Sequence, residues 1–174
     1  MMIAAILAAT ALQLVQECRT AIPADVTLKG RIVQRNRRGI PIVEKNYTLV
    51  RKGGETTLDF NIDELGVDVT WSDITLDYLW WDDVSFDETN EGESVNGQKC
   101  KIVVLKKGDR TVRTWIEEKH GTLMQAEEMV GGKPHRRLWG TRIKKFGDRW
   151  MANVMETETI GSGHRTKIIV EEVE

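Results

Sequence analysis

Cysteine, proline and histidine are all scarce in this chain, with two, three and three copies among 174 residues. Two cysteines cannot build the disulfide scaffold of a small secreted domain. Cys18 and Cys100 either pair across the interior or act as two small buried hydrophobes, and spacing alone leaves both readings open. His120, His135 and His164 stand at or beside expected turns, with no cysteine or carboxylate at ligand spacing, so they read as solvated turn residues rather than metal ligands. No apolar run approaches the ~18 residues of a transmembrane segment. An excess of one charge is missing too. The 25 basic and 27 acidic residues are interspersed and sum to -2, which gives no global attraction to nucleic acid or to an anionic membrane surface.

Catalytic signatures are equally absent. The chain holds no G-x-S-x-G elbow, Walker A loop, dinucleotide-binding glycine motif or H-E-x-x-H helix. Asp82-Asp83 and Glu127-Glu128 are adjacent in sequence, so on a strand each pair points to opposite faces and cannot cooperate. Glu91 and Glu93 flank Gly92 as a solvated turn or edge, and Arg136-Arg137 and Lys144-Lys145 are offset by nearby acids. Neither an enzyme, a cofactor nor a nucleic-acid site is expected.

What is present is a β pattern. The length fits one domain over residues 1–174, long enough to bury a core without staples, and 40% hydrophobic with 30% charged residues fits a soluble globular protein. The apolar N-terminus lacks a basic residue before Arg19 and leaves too short an apolar stretch before Ala9-Thr10-Ala11, so an export signal is absent or incomplete. Ile3, Leu7, Ala11, Leu14 and Cys18 instead share a helical face opposite Thr10, Gln13 and Glu17, which predicts an amphipathic helix within residues 1–22, ending before Pro23.

First strands follow over 26–61. Val26, Leu28, Gly30 and Ile32 alternate with polar residues, Arg37-Arg38-Gly39 turns, and Ile40 to Arg51 returns with Pro41 at the strand's start. Lys52-Gly53-Gly54 leads into Thr57 to Phe60. Over 84–173 the turns become regular, at Asn96-Gly97, Gly108-Asp109, His120-Gly121, Gly131-Gly132, Gly147-Asp148 and Gly161-Ser162-Gly163, the spacing of an antiparallel meander. Asn96-Gly97 is the strongest hairpin signal, because both residues tolerate the positive φ of a type I′ turn. Cys100 to Leu105 is apolar on both faces and reads as central. Val112, Thr114 and Ile116, and likewise Trp139, Thr141 and Ile143, are expected to form the drier faces of their strands. One dry face per strand means a single sheet covered on one side.

The meander is interrupted at 71–81 by WSDITLDYLWW, which carries three of the six tryptophans. Ser72 is a good N-cap, and Ile74, Tyr78 and Trp81 share a helical face, although Ile74, Leu76, Tyr78 and Trp80 also alternate as a strand would. A short helix acting as a lid or plug is expected here.

The run VTWSDITLDYLWWDDVSFDETNEGESVNGQKCKIVVL, the RTWIEEKHGTLMQAEEM strands and the closing KKFGDRWMANVMETETIGSGHRTKIIVEEV resemble the bacterial outer-membrane lipoprotein-sorting family, the LolA/LolB-like proteins, over roughly residues 67 to 173. The resemblance implies a mainly β (α+β) fold, a curved antiparallel half-barrel wrapped around an N-terminal helix and a short mid-chain helix. It also implies a periplasmic location and an apolar cavity sheltering the acyl chains of lipoproteins or lipids. Cys18 lacks the small residues that precede a lipobox cysteine, and no protruding apolar loop of the receptor form is evident, which favours a soluble binder over an anchored receptor.

Leu76, Leu79 and Trp80 are the lid or plug candidates, and Ile116, Met124 and Trp139 the sheet residues expected to face them; ordinary core packing is the competing role for each. Met124 adds an adaptable thioether. The leading expectation is a non-enzymatic carrier of lipoprotein or lipid. An envelope sensor or protein-interaction module on the same fold is the alternative, and an envelope protein with a collapsed cavity the third.

Overall fold

Among the described residues, eleven antiparallel strands line up in one open, curved sheet, whose concave side holds two short helices. The computed structural model describes residues 9–90 and 92–174. The strands are β1 (Val26–Arg35), β2 (Pro41–Lys52), β3 (Glu55–Leu58), β4 (Asp83–Phe86), β5 (Gly92–Val95), β6 (Gln98–Lys107), β7 (Arg110–Glu117), β8 (Leu123–Val130), β9 (Lys133–Phe146), β10 (Arg149–Thr159) and β11 (Arg165–Val173). Their spatial order is β3-β2-β1-β11-β10-β9-β8-β7-β6-β4, with β5 also pairing β6. The mainly β half-barrel expected from the sequence is therefore observed. The Asn96-Gly97 turn joining β5 to β6 has φ of 50° and 78°, the conformation that its residue types favour.

Helix α1 (Ala11–Thr20) starts where Thr10 and Gln13 form a capping box, and it buries Ala11, Leu14, Val15 and Cys18. Ile3 and Leu7, expected on the same face, lie outside the described residues. Thr10 is thus the cap of this helix rather than part of its polar face.

Helix α2 (Trp71–Thr75) is capped by Thr70, not Ser72; Thr70 accepts from the Asp73 amide while the Asp73 carboxylate accepts from the Thr70 amide. The helix then breaks. Leu76 adopts the left-handed conformation with φ of 54°, and a 3-10 turn over Asp77–Trp80 follows in a new direction. The break splits the apolar residues of this segment between two cores. Ile74 packs with Ile32, Tyr47, Leu49, Leu138 and Ile168, whereas Tyr78, Leu79 and Trp81 pack with Val15, Cys18, Val103 and Ile116. Leu76 touches both.

The segment is tied down by polar contacts as well. Arg19 of α1 donates to the carbonyls of Leu79 and Trp81. Gly121, at φ of 67°, lets the turn between β7 and β8 reach α1, since a β carbon there would sit 2.9 Å from the Glu17 side chain.

The convex side carries one small apolar cluster of its own, made of Cys100, Ile102, Trp115 and Met124 with Val95. The Trp115 indole donates to Glu93 at 2.6 Å, drawing β5 against this cluster. Cys18 and Cys100 are both free, buried, and members of clusters on opposite sides of the sheet, so the pairing left open by the sequence is not made.

Candidate functional site

The concave side is filled at one end and hollow at the other. Between α1, α2 and the strands β1, β2, β10 and β11 lies a cavity of about 110 Å³, which opens into about 940 Å³ of atom-free space once its mouth is counted. Its floor is built by alternation: Leu28 on β1, Tyr47 and Leu49 on β2, Met155 on β10, and Ile168 and Val170 on β11 all point inward. Ile74 and Leu76 form the roof, Cys18 and Ile22 come from the helix side, and Trp150, 65% exposed, stands at the mouth.

Of the residues singled out from the sequence, Leu76 lines this cavity. Leu79 and Ile116 are fully buried in the neighbouring solid core. Trp80 is 42% exposed and lines an adjacent pocket, with the Arg51 guanidinium 4.6 Å from its ring centre.

Met124 and Trp139 stand on the convex side, not facing the 71–81 segment. A bulge explains the first: Trp115 pairs Gln125 and Ile116 pairs Leu123, so Met124 is the extra residue and turns outward beside Trp115. For β9 the expected faces are inverted, because Arg136 and Leu138 point inward while Trp139 lies under the Arg165 guanidinium outside, 5.3 Å away.

Arg136 is the main residue that the sequence did not reveal. It is 8% exposed and bonds Asp68 and Asp73, as well as the hydroxyls of Thr159 at 2.6 Å and Thr157 at 3.2 Å. Burial opposes ionisation of Asp68, but the Thr159 amide, Arg136 and the Thr159 hydroxyl outweigh it and hold the carboxyl below its ordinary range. Asp73 is buried more deeply, and that burial pushes its carboxyl up despite Arg136. With the Asp68 amide donating to Gln34, this cluster pins the entry to α2 across β1, β9 and β10.

The histidines take no part in the cavity. His120 is paired with Glu117 at 3.2 Å on the surface, its side chain 67% exposed. Burial pushes the Cys18 thiol up to about 12, so at pH 8 only on the order of one thiol in 10⁴ is ionised. Native protein is accordingly expected to show no fast reaction with iodoacetamide, and two modified thiols on unfolding, read by intact mass. One rapidly modified thiol in the native state would mean that the interior is open to water.

Residues 63–174 match the model of a family described as an uncharacterized protein. No curated protein matches the sequence. Among solved structures, the chain is similar to a LolA superfamily protein from Nitrosomonas europaea, with 13% identity, a TM-score of 0.74, and 96% of this chain and 94% of that one covered. It is also similar to a DUF1329 family protein from Desulfovibrio piger, at 14% identity and a TM-score of 0.68 over 94% and 91% of the two chains. A domain classed with the outer-membrane lipoprotein-sorting proteins, from Vibrio parahaemolyticus, shares 13% identity at a TM-score of 0.70, again over 94% and 91%. At these identities the likeness establishes the fold.

Proposed function

The chain belongs to the family of uncharacterized proteins matched over 63–174 and has a LolA-like fold, and from that premise we propose that it is a non-enzymatic carrier that shelters acyl chains of lipoproteins or lipids in the bacterial periplasm. The observation that carries this reading is the apolar cavity under α2, lined by residues of five strands and both helices. A collapsed core would use the same strands without leaving a hollow. Burying an acyl chain of about sixteen carbons is worth on the order of 10 kcal/mol at ~0.8 per methylene, enough to hold cargo firmly in water.

The enclosed part of the cavity holds only part of such a chain, since about 110 Å³ is below the ~150 Å³ of an apolar cavity that takes up one benzene. Loading therefore requires the mouth to widen, and the exposed Trp150 beside Met151 is the side with freedom to move. The same narrowness favours one second reading, an envelope module that binds a partner protein and carries no lipid.

Native mass spectrometry of protein purified from its own envelope separates the two. Co-purified lipid or lipopeptide is the expected result. Isothermal titration with a lipopeptide at several temperatures is expected to give a negative heat-capacity change and little dependence on salt. A protein that binds no apolar ligand, and whose partner is lost at moderate salt, overturns the carrier reading.

A further inference from the structure

Arg51 sits on the concave face of β2, two positions beyond Leu49, and is 9% exposed. Such a side chain ordinarily faces a carboxylate, because an unpaired buried cation is costly. Here its hydrogen-bond partners among the described residues are a carbonyl and a hydroxyl, and the Trp80 ring is its other neighbour: Nη2 donates to the Thr75 carbonyl at 2.8 Å, and Nε to the Thr56 hydroxyl at 3.4 Å. Nη1 is buried with no partner. Burial lowers the pKa of Arg51, with no neighbouring acid acting against it.

The position of this cation is informative. Arg51 lines the apolar cavity and also a second pocket of about 300 Å³ on the other side of Thr75; Ile22 and Thr75 border both as well. The second pocket mixes polar and apolar side chains. It contains Arg19, two of whose five donors serve the Leu79 and Trp81 carbonyls, and one acid, Asp77, so two guanidiniums face a single carboxylate. Trp71 and Trp80, 39% and 42% exposed, also line it.

We infer that the two hollows are one site for an anionic amphiphile, with its tail in the apolar cavity and its carboxylate or phosphate against Arg51 in the neighbouring pocket. The inference rests on the carrier reading of the cavity and adds the ligand's headgroup class. An anionic oxygen gives Nη1 the acceptor it lacks and supplies the counter-charge that the protein does not. Fatty-acid carboxylates and lipid phosphates share that chemistry.

The test compares decanoate, decyl phosphate and decanol by isothermal titration at neutral pH, with wild-type protein and with Arg51→Gln and Arg51→Lys. Wild type is expected to bind at least one of the two anions about tenfold or more tightly than the alcohol; whichever is favoured identifies the carboxylate or the phosphate. Arg51→Gln is expected to lose that preference while still binding decanol, and Arg51→Lys to keep most of it. A purely structural role for Arg51 would weaken acid and alcohol alike, so the ratio distinguishes the two roles. Equal binding of all three ligands by wild type overturns the headgroup assignment and leaves the carrier reading standing. An anion preference that survives Arg51→Gln overturns it too. Failure of every ligand to bind removes the carrier reading and this inference together. The wild-type comparison decides the matter even if a variant does not fold.

Discussion

Replacing Arg136 by methionine is expected to cost about 3–5 kcal/mol of stability, because it leaves Asp68 and Asp73 in the interior without their counter-charge. Asp68 belongs to the short stretch that leads into α2 and Asp73 to its first turn, so the damage should concentrate there. Urea unfolding at neutral pH measures the total, and the triple change Arg136→Met, Asp68→Asn, Asp73→Asn should recover much of it by removing the stranded charges.

The pH dependence has a definite sign. Asp68 has a depressed pKa in the folded wild type, so its contribution is present above the ordinary carboxylate range and fades as pH falls through the folded value. In the Arg136 variant, burial without the cation raises both carboxyls, so folding improves as they take up protons. The gap between variant and wild type should therefore narrow in acid. A gap that is constant from neutral pH to pH 4 would mean that Arg136 acts through packing alone.

Leu79→Ala is expected to cost about 2–5 kcal/mol, as fully buried leucine truncations do when the site cannot collapse. Leu79 has Val15 and Cys18 of α1 and Ile116 of β7 in its core, and its own carbonyl holds Arg19, so neighbours are fixed on several sides. Leu79→Asp, which adds an unpaired charge, should prevent folding. The adjacent Trp80→Asp should be tolerated, because Trp80 is 42% exposed and the new carboxylate stands beside the Arg51 guanidinium that lay against the ring. The two neighbours thus test whether the 3-10 turn is a fixed plug. A Leu79→Ala loss below about 1 kcal/mol would mean that the turn swings freely as a lid.

The sheet was legible in the sequence because its signals are local. Glycine turns mark the hairpins from Asn96-Gly97 to Gly161-Ser162-Gly163, and the alternation of Val112, Thr114 and Ile116 identifies a buried face directly. The tryptophan-rich segment was legible as a short helix, but its break at Leu76 was not, since a left-handed leucine has no propensity signature. Face assignments failed where registers slip. Met124 is turned outward by a bulge, and Trp139 lies opposite its expected side because Arg136, read only as a basic group offset by nearby acids, takes an inward position. The acids that hold Arg136 there are more than sixty residues upstream, a pairing that no window along the chain displays. For the cavity floor a local signal did exist, in the alternation of Tyr47, Leu49 and Arg51. It was obscured because the last member is charged.

The pairing of β1 with β11 dictates an order of assembly. As the chain emerges from the ribosome, the hairpin of β1 and β2 can close early, yet the other edge of β1 has no neighbour until the last nine-residue strand arrives. Arg31 and Ile32 must wait for Ile169 and Ile168, residues from the opposite end of the chain. Contacts of such long sequence separation make folding slow. Until then an exposed strand edge is available to any other extended chain, so a chaperone would have to guard the nascent protein, and a stop codon before Arg165 would yield two unjoined half-sheets.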